Sequence, residues 1–102
     1  MNYDELLIDN ITVLKRNGEL YQDIKANVEK DRILILQLDV PVGMGDIVQR
    51  HLSDGPDEVY EVLDPGYHRA YVDLPAGYLM KTRRMPSSEA EKTIQSITAN
   101  KQ

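Results

Sequence analysis

The sequence predicts a mainly β protein: a small, curved antiparallel β-barrel or roll of about six strands, with a C-terminal helix. Three observations carry that expectation. Asn17-Gly18 and Asp54-Gly55 each lie between short β-rich runs and read as hairpin turns. Several runs alternate apolar and polar residues, the period of a strand with one wet face. Finally, 102 residues are too few to fill two separate sheets, whereas closing one sheet on itself buries a core and removes adhesive edges.

The elements follow in chain order. Tyr3 to Asn10 is a short helical turn or an extended arm. "ITVLK" is β-rich, and Asn17-Gly18 turns it back, since both residues tolerate positive φ. In the returning strand Ile24, Ala26 and Val28 share one face, while Asp23, Lys25, Asn27 and Glu29 share the other. "RILILQL" (Arg32 to Leu38) is different, with Ile33, Leu34, Ile35 and Leu36 in succession. Such a strand is either covered on both sides or turns its outer face to a partner.

"DVPVGMGD" breaks the pattern, and Gly45-Asp46 reads as a turn into the next strand. "DIVQRHL" and "EVYEVLD" form the second hairpin around "SDGPD". Pro65 to Tyr78 is the longest irregular segment, with three tyrosines, two prolines and two glycines; "YLMKTRR" then reads as the last strand. In "SSEAEKTIQSIT", Ser88 and Glu91 fit a capping box, and Ala90, Ile94 and Ile97 make a narrow apolar stripe. The final "ANKQ" is expected to fray. The chain thus divides into a barrel-like domain, 1–86, and a helical tail, 87–102.

Composition narrows the chemistry. No cysteine is present, which excludes disulfides, thiolate zinc sites and a cysteine nucleophile. Trp and Phe are absent as well, so Leu, Ile, Val, Met and six tyrosines must build the core. No run is long and apolar enough to span a membrane, and the N-terminus lacks the build of a signal peptide, so the expected location is cytoplasmic. The net charge of −5 hides an asymmetry: residues 1–79 carry 7 Lys/Arg against 15 Asp/Glu, and residues 80–102 carry 5 against 2. The acidic body repels phosphate backbones and argues against nucleic acid as a partner. The basic end is a solvated tail, or else meets an acidic surface, including that of a second copy.

The candidates for catalysis are weak. "GMGDIV" lacks the third glycine and the following helix of a dinucleotide loop, and the Walker lysine is missing. His51, Ser53 and Asp54 are the residue types of a hydrolytic triad, yet neighbours on one turn cannot converge on a substrate. His68 has Asp64 and Asp73 nearby in sequence, but no second histidine at metal-binding spacing. Glu58 and Glu61 fall on opposite faces of a strand. We therefore expect no catalytic residue, no cofactor and no metal. Tyr60, Tyr67, Tyr71 and Tyr78 are core and rim packing, an interaction patch, or a base-stacking platform. The expected interaction surface comprises Ile33, Leu34, Ile35, Leu36, Tyr67, His68, Tyr71, Tyr78, Ile94 and Ile97, with a protein partner or a second copy in a homo-oligomer.

Four stretches in order, "ITVLKRNGELYQDIKANVEKDRI", "VPVGMGDIV", "EVYEVLDPGYH" and "LPAGYLMKTRR", resemble the N-terminal domain of uncharacterised bacterial proteins from prophage, mobile-element or defence neighbourhoods. The resemblance covers about residues 9–98, and "YEVLDPG" is its most specific piece. It implies a small barrel-like domain and brings no reaction with it. In the pattern it follows, a histidine often stands where this chain has Gly77, and a further domain often follows the segment matching "IQSIT". It thus implies either a stand-alone form from a mobile element or a piece of a longer protein. A looser resemblance in layout is to the small barrels that complete phage head–tail junctions. The function expected first is a non-enzymatic interaction or oligomerisation module. The alternatives are a structural head–tail completion protein and a small ligand-binding or hydrolytic protein using the His68 loop.

Overall fold

In the computed structural model, which describes residues 5–99, two three-stranded meanders close on each other as a six-stranded antiparallel barrel. The first meander is β1 (Asp9–Leu14), β2 (Leu20–Val28) and β3 (Arg32–Ile35). The second begins with β4 (Ile47–His51) and β5 (Glu58–Asp64) and ends with β7 (Gly77–Arg84), after the short additional strand β6 (Tyr67–His68). One seam is the β1–β4 pair, from Asn10 opposite His51 to Leu14 opposite Ile47. The other is β3–β7, from Arg32 opposite Lys81 to Ile35 opposite Tyr78. A single helix, α1 (Ser87–Ala99), follows. Of the expected N-terminal arm, Tyr3 and Asp4 lie outside the described residues, Glu5 and Leu6 form a turn, and Asp9 and Asn10 already belong to β1. Of the expected fraying end, Ala99 closes the helix and residues 100–102 lie outside the description.

The strand pattern is the one the alternation demands. Ile24 and Ala26 point into the barrel with Ile11, Val13, Ile33, Ile35, Val48, Tyr60, Val62 and Met80, and these form the main core. Val40, on the segment that crosses one barrel end between β3 and β4, plugs it from below. Asp46 ends that segment almost fully buried, accepting bonds from Lys15 Nζ and from the Gly43 N–H at 2.7 Å. Its backbone joins β5, with the Val62 N–H donating to the Asp46 carbonyl at 2.9 Å.

The opposite end is closed by charge. Arg50 donates to Asp9 Oδ1 and to Glu58 Oε1, each at 2.9 Å, while Tyr60 Oη donates to Glu58 Oε1 and Arg84 lies 3.1 Å from Glu58 Oε2. Desolvation pushes the Glu58 carboxyl up, but the bonds from Arg50 and Tyr60 and the two guanidinium charges outweigh it and hold it below the usual carboxylate range.

Three local readings are corrected. The first hairpin uses a three-residue loop, Arg16-Asn17-Gly18, rather than a two-residue turn. Gly18 takes φ +92° and donates to the Lys15 carbonyl at 3.0 Å, and Lys15 donates to Glu19 at 2.8 Å, so only the glycine needs the left-handed conformation. A bulge follows, where Asp23 (φ +59°) inserts one residue between the Ile11–Ile24 and Val13–Tyr21 pairs. The third correction concerns α1. It begins at Ser87, with the Ala90 N–H bonded to the Pro86 carbonyl at 2.9 Å, which places Ser88 inside the first turn instead of at the cap.

α1 lies on the outer wall of the barrel. Ala90 and Ile97, with Ile94 half-buried beside them, cover Leu14, Ile47, Val59 and Met85 and make a second apolar cluster. Arg83 on β7 fastens the first turn by holding Glu89 at 2.7 Å and Glu61 at 2.8 Å. Among the described residues no helix is long and apolar enough to cross a membrane.

Candidate interaction surface

A different part of the outer wall has no such cover, and the reason begins in β5. A bulge between Val62 and Asp64 shifts the β5–β7 register by one residue. The strand then turns at Pro65-Gly66 and continues along β7 as β6, with Tyr67 opposite Tyr78 and His68 opposite Gly77. Gly66 adopts φ +61°, and its carbonyl accepts from the Leu79 N–H at 2.9 Å. A Cβ at Gly66 would stand 1.9 Å from the Leu79 oxygen, and one at Gly77 would stand 2.1 Å from the Ile35 oxygen. Only glycine lets the three backbones lie this close. No side chain at position 77 has room in this backbone.

Past β6 the chain makes a miniature hairpin. Tyr71 and Leu74 exchange backbone hydrogen bonds of 2.9 and 2.8 Å around Val72-Asp73. Val72 at the tip has φ +51° and is 85% exposed. Left-handed backbone is costly for a β-branched residue, on the order of 1–3 kcal/mol. Between this hairpin and the barrel wall runs a groove of about 560 Å³, lined by Leu34, Gly66, Tyr67, His68, Arg69, Tyr71, Leu74 and Leu79. Its lining is mostly apolar. Tyr67 packs edge-on against Tyr78 with ring centres 5.9 Å apart. The His68 Nε2 is enclosed without a hydrogen-bond partner, and its Nδ1 lies 3.3 Å from the Arg69 carbonyl.

Four of the residues expected from the sequence are thereby brought together: Leu34, Tyr67, His68 and Tyr71. Tyr78 is half-buried against the core and beneath Tyr67. Leu36 is half-buried where β3 gives way to the crossing segment. Ile33 and Ile35 do not belong to a surface at all. Both are fully buried inside the barrel, because in a strand every second residue of the four-residue apolar run must face inward. Ile97 is likewise buried, and Ile94 half-buried, against the wall of their own chain, so the helical stripe is already satisfied.

Arg69, Leu74 and Leu79 line the groove and Val72 caps the hairpin beside it, although none belongs to the surface expected from the sequence. Leu79 was legible in the alternation of β7, where Met80 and Thr82 are buried while Leu79, Lys81 and Arg83 are exposed. The hairpin was not, since "RAYVDLPA" contains no turn glycine.

Charges frame the groove. Arg32 and Lys81 stand directly opposite each other across the β3–β7 seam, a like-charge pairing that costs stability. Neither forms an ion pair among the described residues, and neither do Arg69 and Asp73.

His51 has a different surrounding from the one its sequence neighbours implied. Its Nε2 lies 2.7 Å from Thr12 Oγ1 and its Nδ1 3.0 Å from Asp57 Oδ2. With Asp57 accepting from Nδ1–H, Nε2 is free to accept the threonine hydroxyl, which is the hydrogen-bond order of a nucleophile, base and orienting acid. Thr12, however, is only 4% exposed. A nucleophile needs an approach path, and this hydroxyl is spent on tying β1 to the β4–β5 turn. Ser53 and Asp54 take no part. Among the described residues no group of three His, Asp or Glu side chains could hold a metal ion. Comparison with family models, with curated proteins and with solved structures finds no match to this chain.

Proposed function

We propose that this chain is a protein-interaction module rather than an enzyme: a closed barrel that holds an apolar shelf, Leu34, Leu79 and the 65–76 arm, out to a protein partner. The observation that carries the reading is Val72, a large apolar residue in left-handed backbone, 85% exposed at a hairpin tip beside Tyr71 at 76%. Backbone strain that leaves an apolar side chain in water makes sense where a binding event repays it. The aromatic and aliphatic lining, with basic groups at its edge, has the makeup of an interface centre with a polar rim. The buried position of Thr12 weighs against hydrolysis along the Thr12–His51–Asp57 line. The His68 ring, with Nδ1 against the Arg69 carbonyl and no partner at Nε2, joins no hydroxyl or carboxylate among the described residues.

The test is a peptide library displayed on phage and selected on the intact protein. Binding by the selected peptides is then mapped through amide chemical shifts. The reading expects the shifts to concentrate at residues 32–36 and 65–81. Failure to select any peptide, or shifts centred on α1 or on β1 and β2, would overturn it.

A further inference from the structure

Resting on that reading, we infer that the partner on the shelf is a second copy of this chain, docked about a two-fold axis that runs beside the 69–74 hairpin. A knob and a socket lie side by side on one face. Tyr71 and Val72 project from the hairpin, and the groove beside it is floored by Leu34 and Leu79. A face that carries both a projection and the recess next to it is self-complementary under a two-fold rotation, the commonest symmetry of soluble dimers.

Charge gives the register. Arg69 sits at the root of the hairpin and Asp73 at its tip; both are exposed, and neither joins an ion pair among the described residues. Two hairpins laid antiparallel about the axis bring the tip of each beside the root of the other. Asp73 then meets Arg69 of the second copy twice over, while each Val72 enters the facing groove. The groove accepts an apolar residue with a carboxylate beside it, and Val72-Asp73 is such a segment. The shelf's unpaired cations, Arg32, Lys81 and Arg69, also face a body that is itself acidic, since residues 1–79 carry 7 Lys/Arg against 15 Asp/Glu.

The face is small compared with obligate dimer interfaces, so the dimer belongs to the weak class and is read by sedimentation velocity over a concentration series up to about 1 mM. Arg69→Asp places two acids in each contact and Asp73→Arg two cations, and each should weaken association at least tenfold. An equimolar mixture of the two variants should restore a dimer containing one chain of each, because every contact is then opposite in sign again. The double variant R69D/D73R should dimerise alone. All four positions in the contact are on the surface, and unchanged amide spectra at low concentration show that the barrel is intact. A wild-type chain that stays monomeric throughout overturns the proposal. So do variants that associate like the wild type, or a mixture that fails to restore the dimer. Failure here with library peptides still shifting the shelf would remove only the second copy. Failure of the peptides to reach the shelf would remove the interaction reading itself.

Discussion

On one side of the barrel's outer wall, Leu14, Ile47, Val59 and Met85 lie under α1 and are buried; on another, Leu34 and Leu79 lie beside the 65–76 arm, with Leu34 half-buried and Leu79 45% exposed. Apart from Met85, which directly follows β7, both patches are outward positions of strands whose inward neighbours fill the same core. What separates them is cover. The thirteen-residue helix supplies Ala90, Ile94 and Ile97 to the first patch, and Arg83 fastens it there. The second receives only a two-residue strand and a hairpin, and the hairpin adds apolar surface, at Tyr71 and Val72, instead of removing it. The first patch is a piece of core and the second is an offered surface, and substitutions of equal size should have unequal costs on the two.

The largest effect is expected where the open side is built, at Gly77. A Cβ there would stand 2.1 Å from the Ile35 oxygen and 2.9 Å from the Leu36 Cα. Those atoms belong to the β3–β7 seam that closes the barrel and cannot yield without opening it. Gly77→Ala should cost about 3 kcal/mol or more in urea unfolding. A cost below about 1 kcal/mol would show that the end of β3 can yield from β7, so that the seam beside the shelf is not tightly closed. Little of this closeness was readable from the sequence. "AGY" gives no sign that position 77 abuts a strand more than forty residues earlier, because contacts across a closed sheet are set by register and shear. Periodicity within a strand carries no trace of them.

The contrast itself is tested by a pair of truncations. Ile97→Ala removes a side chain that is 5% exposed beneath α1, and should cost about 2 kcal/mol, the low end of the range for a buried isoleucine because the helix can settle into the space. Leu79→Ala, at 45% exposure, should change stability by less than about 0.5 kcal/mol while abolishing peptide binding at the shelf. If the two costs were equal, the distinction between covered and offered wall would collapse. The sequence supported half of this contrast. The spacing of Ala90, Ile94 and Ile97 announced a face that needed a partner, and that face is met by the chain's own wall. In the run Ile33 to Leu36, four successive apolar residues have no period to say which two face inward. Leu34, Tyr67, His68 and Tyr71 were singled out one by one. Their meeting in one groove depended on the Leu63 bulge and the Gly66 turn, neither of which leaves a hydrophobic signature.

The smallest and most local effect concerns how the cover is held. Arg83 donates to Glu89 and draws its carboxyl below the usual range; the hydrogen bond is the main cause, desolvation opposes it, and the guanidinium charge adds to the lowering. A folded-state pKa below the unfolded one means that the contribution is fully present above the ordinary glutamate range and is lost as pH falls through the lowered value. Acid should therefore loosen the first turn of α1 before the barrel itself yields. The check is a pH titration of methyl resonances. Ala90 and Ile94 should report an inflection below the ordinary carboxylate range, whereas Leu79, far from α1's anchor, should not. Glu89→Gln should remove that inflection and leave the shelf resonances where they were. If Ala90 and Ile94 titrate unchanged in Glu89→Gln, the helix is held by its apolar stripe alone, and the covered wall owes its cover to Ile94 and Ile97 without help from the Arg83 clasp.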